Sequence, residues 1–133
     1  MEPDLRAYDQ LSTISIKSTI KRVKKVVANL EALFRRGQGE AGFILGFLYS
    51  PDIVILSDNV KLEIGATQEK SISYFQAAYP VLMREALTGN GKSMHLIALY
   101  YQMGLLPVSH NSAQYEYWKN KALDAGYRGA GQL

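Results

Sequence analysis

Between Ser15 and Arg36 the apolar residues fall at Ile16, Ile20, Val23, Val27, Leu30 and Phe34. A recurrence of three and four is one stripe of an α-helix. Lys17, Lys21, Lys24 and Lys25 gather on another face, and Arg35-Arg36 followed by Gly37 and Gly39 is a helix C-terminus by charge and by geometry. The same punctuation predicts four more helices: Glu40 to Tyr49, stopped by Ser50-Pro51-Asp52; Glu69 to Thr88, with Pro80 inside; Lys92 to Met103, ended by Gly104; and Ser112 to Ala125, ended by Gly126. A short helix is expected around Asp4–Gln10. The segment Asp52–Gln68 breaks the pattern. Ile53-Val54-Ile55-Leu56 is rich in β-formers, Ser57-Asp58-Asn59 is turn chemistry, and Val60-Lys61-Leu62-Glu63-Ile64 alternates with period two. It reads as a small β-hairpin or an irregular loop on a helical body.

An internal repeat runs through this pattern. Gly37 with Ala41, Gly89 with Ser93, and Gly126 with Ala130 are glycine and small-residue pairs at one spacing, each following a helix. Ala41-x3-Leu45-Gly46-x2-Tyr49 corresponds to Ser93-x3-Ile97-Ala98-x2-Tyr101-x2-Gly104. Small residues at 46 and 98 permit close helix approach, and the aromatic three positions on fills the space beside it. Tyr115-x2-Trp118-x2-Lys121-Ala122-x3-Gly126 has an earlier counterpart in Ser71-x2-Tyr74-Phe75-x2-Ala78. Tyr49, Tyr74, Tyr101 and Trp118 are expected to be buried.

These residues resemble the Sel-one-like repeat, a helix–turn–helix relative of the tetratricopeptide repeat with a period of about 36 to 40 residues. Gly89 to Gly126 is 37 residues and fits; Gly37 to Gly89 is 52. The excess divides into eight residues between Tyr49 and Tyr74, where the hairpin or loop falls, and seven between Tyr74 and Gly89. Seven residues are about two helical turns and preserve the buried face. Where the family has a glycine-rich turn after the first helix, this chain has Asp52. The resemblance implies an all-α fold: a short α-solenoid of helix–turn–helix repeats in a single domain. Residues 1–36 are its cap, 37–88 a first repeat with an insertion at about 50–68, 89–126 a second repeat, and 127–133 the start of a truncated one. So short a stack leaves faces uncovered, which the N-terminal helices or a homodimer would cover.

The resemblance also implies a function. Such modules act as bacterial adaptors and regulators, and some small members neutralise a secreted toxin. The expectation is therefore a non-catalytic protein-interaction module, as an immunity protein or as a scaffolding adaptor, with a protein partner and no cofactor. In tetratricopeptide-like units the first helix lines the concave groove. That puts Phe43, Phe47, His95 and Leu99 in a partner-binding groove, flanked by Glu40, Ser50, Lys92 and Gln102. The competing expectation is that the N-terminal helix or the hairpin covers the two phenylalanines.

Composition narrows the alternatives. The 133 residues are 47% hydrophobic and 20% charged, a globular balance enough for one domain. Cysteine is absent, which excludes disulfides, thiolate nucleophiles and Cys-ligated metals. With two histidines and no H-E-x-x-H spacing, a metal site has little to draw on; His110 falls in a turn, as a solvated loop residue. The net charge of +3 is concentrated: residues 1–36 carry eight Lys/Arg against four Asp/Glu, the remainder seven against eight. The lysine face has no interleaved aromatics for nucleic-acid stacking, and is expected to be solvated. Ala86 to Ser93 satisfies the loose phosphate-loop pattern, leaving a small enzyme or nucleotide-binding protein using Gly91-Lys92-Ser93 as a further alternative. That loop needs a preceding strand, and Leu82–Thr88 reads as helix. Neither a secretory leader nor a membrane span is evident, so a cytoplasmic chain is expected.

Overall fold

The computed structural model describes residues 5–53 and 56–129, with side chains described from Ile16 onward, except Val54 and Ile55. The described residues form six helices and no strand: α1 (Leu5–Arg35), α2 (Gly39–Tyr49), α3 (Asp58–Ile64), α4 (Gln68–Leu87), α5 (Gly91–Met103) and α6 (Ser112–Asp124). The fold is all-α. The two N-terminal helices expected from sequence are one 31-residue helix, about 46 Å long at 1.5 Å per residue. Asp4 lies outside the described residues, as do Val54, Ile55 and the last four residues, where the truncated third repeat was expected to begin its helix.

Helices α2, α4, α5 and α6 begin and end where their punctuation predicts. Thr67, Asn90 and Asn111 cap α4, α5 and α6, their side-chain oxygens accepting from the backbone N–H three residues on. Gly37, Gly89 and Gly126, the repeat glycines, share one left-handed conformation with φ of 94°, 100° and 90°, which a residue with a Cβ adopts only under strain. Helix α4 has 20 residues against 13 in α6, the two-turn excess expected from the repeat. Pro80 is exposed in the middle of α4, so the carbonyl it leaves without a donor is on the wet side.

Helix α2 packs on α4, α4 on α5 and α5 on α6, with α1 against α2 and α3. Close approach of α2 and α4 depends on glycines. A Cβ on Gly46 would stand 2.5 Å from the Phe75 ring, and one on Gly42 would stand 2.6 Å from Phe34 and 2.9 Å from Ala78. The main core fills the spaces from α2 to α6 around Phe43, Phe75, Leu82, Ile97, Tyr100 and Trp118. A second cluster of Val27, Leu45 and Tyr49 joins α1 to α2. Tyr49 and Trp118 are buried as expected, whereas Tyr74 and Tyr101 are half-buried. Tyr49 stacks on Tyr74 at 5.4 Å, and the Tyr101 hydroxyl meets that of Tyr79 at 3.0 Å.

The hairpin expectation is corrected by α3. Val60 and Ile64 face inward as a strand would place them, but a spacing of four also fits a helix. Leu62 decides between the two: period two buries it with Val60 and Ile64, and it is 82% exposed. Ser57 caps α3 by accepting from the Val60 N–H, and Gly65, at φ 73°, ends it. Lys61, an outward position in a strand, is 6% exposed. Its Nζ donates to the carbonyls of Ser50 (2.6 Å), Pro51 (3.1 Å) and Ile53. One ammonium thus satisfies the loop leaving α2, where no helix or strand supplies donors.

Candidate functional site

The groove expected between α2 and α5 is closed at its centre. Phe43 is 7% exposed, with its ring 4.9 Å from Phe47, 6.0 Å from Phe75 and 5.6 Å from Tyr100. Phe47 is half-buried and stands edge-on to Phe75 at 4.9 Å. Neither is an open anchor. Their cover comes from α4 and α5 rather than from α1 or a hairpin. Ser50 is buried with its carbonyl held by Lys61, so it is no rim residue. Glu40 and Lys92 pair with each other at 2.8 Å on the surface. Leu99 is half-buried against the core, and Gln102 is exposed. His95 lies beside the Tyr127 ring at 5.2 Å, and burial pushes its pKa below the usual imidazole value.

The phosphate-loop pattern spans a helix–turn–helix: Ala86 and Leu87 end α4, and Gly91 begins α5. No strand precedes it. Besides the Lys92–Glu40 pair, the Ser93 hydroxyl donates to Glu85 at 2.7 Å. The other Glu85 oxygen accepts from the Gly39 N–H at 3.0 Å. Lys92 and Ser93 therefore serve the joint between α2, α4 and α5. Among the described residues, no group of three or more His, Asp or Glu side chains is placed to hold a metal ion. No described helix is long and apolar enough to cross a membrane.

An open recess lies elsewhere, between the Ile16–Lys24 stretch of α1 and α3. It is an open groove of about 620 Å³. Ile16, Ile20 and Leu62 form its apolar surface; Lys17, Lys21 and Lys24 line it from α1, Asn59 and Glu63 from α3. The physical origin is the mismatch between α1 and the body. The apolar stripe of α1 runs without interruption from Ile16 to Phe34, yet its packed members are Val23, Val27, Leu30 and Phe34. Ile16 is 40% exposed, and Ile20 is half-buried. Across one part of the groove Lys24 reaches Glu63 at 3.4 Å, both half-exposed, which ties the walls together only weakly.

No protein-family model matches the chain, and neither curated proteins nor solved structures give a match. The site rests on its geometry.

The α1 wall of the groove was visible in the sequence as an apolar stripe from Ile16 with a lysine face beside it. What sequence reasoning missed was Leu62, which a period-two reading turns inward. The signal that would have found it is the Ser57 cap with Gly65 eight residues on, a one-element frame for a short helix.

Proposed function

We propose that this chain is a non-catalytic protein-binding module, a short α-solenoid of Sel-one-like units whose partner docks in the groove between α1 and α3. The single observation that carries this reading is the apolar stripe of α1 continuing past the helical body and meeting Leu62 across an open recess. Large exposed aliphatic side chains scattered singly mean little; Ile16 and Leu62, converging with half-buried Ile20 on one groove with a polar rim, mark a contact surface. Burying a side chain such as Leu62 contributes about 1.5–3 kcal/mol, so a partner covering it gains a central anchor.

Toxin neutralisation and scaffolding are two forms of this function, and affinity separates them. The eight described residues lining the groove are fewer than the roughly 20–30 residues a side of a standard interface. By itself the groove favours the adaptor form, with a short segment bound at micromolar strength. An immunity contact at about nanomolar Kd needs neighbouring surface as well.

The test is affinity capture with the intact chain and an Ile20→Asp/Leu62→Asp variant, alongside Tyr117→Asp on α6 as a surface control and circular dichroism for folding. A protein retained by the intact chain and by Tyr117→Asp, and lost from the folded groove variant, supports the proposal. Equal retention by all three overturns it.

A further inference from the structure

We infer that the occupant of the α1–α3 groove is an acidic amphipathic α-helix of a partner protein, an inference that rests on the binding reading above. The shape of the groove selects a helix. Its two walls are helices, and a third helix laid between them packs side chains into their grooves while satisfying its own backbone. An extended peptide docks on a strand edge or in an aromatic-lined groove; the described residues contain no strand, and those lining this groove include no aromatic.

Charge selects the sign. Lys17, Lys21 and Lys24 are spaced four and three apart, one face of α1 lying along the apolar floor. Glu63 meets Lys24, and among the described residues no carboxylate lies within ion-pair distance of Lys17 or Lys21. Both are exposed and flank Ile20, so a helix with apolar residues on one side and carboxylates along its edge complements wall and floor together.

The same features argue against other occupants. A second copy of the chain offers no matching face, since no described helix carries more than one excess negative charge. An anionic bilayer takes apolar residues that lead from a convex face, whereas Ile16, Ile20 and Leu62 line a recess.

The test uses the full chain and two fluorescein-labelled helical peptides of about four turns. Both carry leucine at every third and fourth position, one with glutamate and the other with lysine at the remaining positions. Fluorescence anisotropy is expected to show the glutamate peptide binding about tenfold or more tightly than the lysine peptide, weakening as salt is added. Lys17→Glu/Lys21→Glu is expected to reverse that preference, and Leu62→Asp to abolish binding of both peptides, each variant keeping its helical circular dichroism. Failure of the glutamate peptide to bind, equal binding of the two peptides, or a preference unchanged by the lysine reversals overturns the inference. So does a dimer in sedimentation that Leu62→Asp dissociates, or co-sedimentation with phosphatidylserine vesicles in place of peptide binding. The two proposals fail separately. A captured protein lost on Leu62→Asp, combined with no glutamate-peptide preference, leaves the binding module standing and removes the acidic helix. A captured protein retained by the groove variant removes both.

Discussion

Gly46→Ala adds one methyl group where α2 meets α4, and the structure allows its cost to be worked out. The new Cβ would lie 2.5, 2.6 and 2.7 Å from three carbons of the Phe75 ring, closer than real Cβ contacts allow. The ring has nowhere to go: Phe47 is edge-on at 4.9 Å, Phe43 at 6.0 Å and Tyr100 at 6.1 Å. Nor can α2 simply lift away, because the Gly46 carbonyl accepts a 2.6 Å hydrogen bond from the buried Ser71 hydroxyl on α4. Overpacking of this kind costs about 1–3 kcal/mol. Against it stands the helix-propensity gain of alanine over glycine, about 1 kcal/mol. With three ring carbons blocked at once the overpacking falls in the upper part of that range, about 2–3 kcal/mol, so the expected net destabilisation is about 1–2 kcal/mol, or a melting temperature lower by roughly 3–8 °C for a chain of this size. Urea denaturation followed by circular dichroism measures it, and a double-mutant cycle assigns it. Phe75→Leu alone destabilises by opening a cavity; combined with Gly46→Ala, the smaller side chain makes room for the methyl, and the double variant is expected to be more stable than the two separate losses imply. A Gly46→Ala variant as stable as the parent chain, or an additive cycle, refutes the close-approach argument.

Three further outcomes follow from the packing. Lys61→Met keeps the stem and removes the ammonium shared by three loop carbonyls; a loss of about 2–3 kcal/mol in urea midpoint analysis is expected, and a loss below about 0.5 kcal/mol contradicts the capping role. His95 has its pKa lowered by burial, so the unfolded chain binds the proton more readily than the folded one. Its contribution is complete above about pH 6.5 and is lost as pH falls below that value towards the folded pKa; His95→Gln is expected to flatten this part of the stability–pH curve, and an unchanged slope rejects the assignment. Tyr49 is pushed up to about 12, first by burial and then by its hydrogen bond to Glu31. The sign is opposite: stability contributed by its protonated form is lost as pH rises from about 10 towards 12. Ultraviolet titration is expected to show one late-ionising tyrosine fewer in Tyr49→Phe.

How far the sequence carried this account depended on what kind of contact each element answers to. Helices α2, α4, α5 and α6 are bounded by residues that act locally, such as Asn90 and Asn111 at N-termini and glycines after C-termini, so their limits were legible. Val60 and Ile64 carry no such decision, since their spacing serves strand and helix equally; the outcome lay in Ser57, Gly65 and the reach of Lys61 back to the Ser50 carbonyl. Phe43 and Phe47 show a different limit. Their i, i+4 spacing fixes a common face of α2, but what covers that face is Phe75 and Tyr100, long-range partners that no local pattern specifies. The groove was half legible for the same reason. Ile16, Ile20 and the lysines could be read as one helix face, while the opposing wall required the correct periodicity for α3.

Docking of a partner protein in the α1–α3 groove is read out most directly by site-specific photocrosslinking in cells that express the chain. A benzophenone amino acid replaces Leu62 in one variant and Tyr117, half-exposed on α6, in another. A discrete protein adduct is expected from position 62, absent from position 117 and lost when Ile20→Asp is added. An adduct from position 117 alone, or one from position 62 that persists with Ile20→Asp in a folded chain, contradicts docking in the groove.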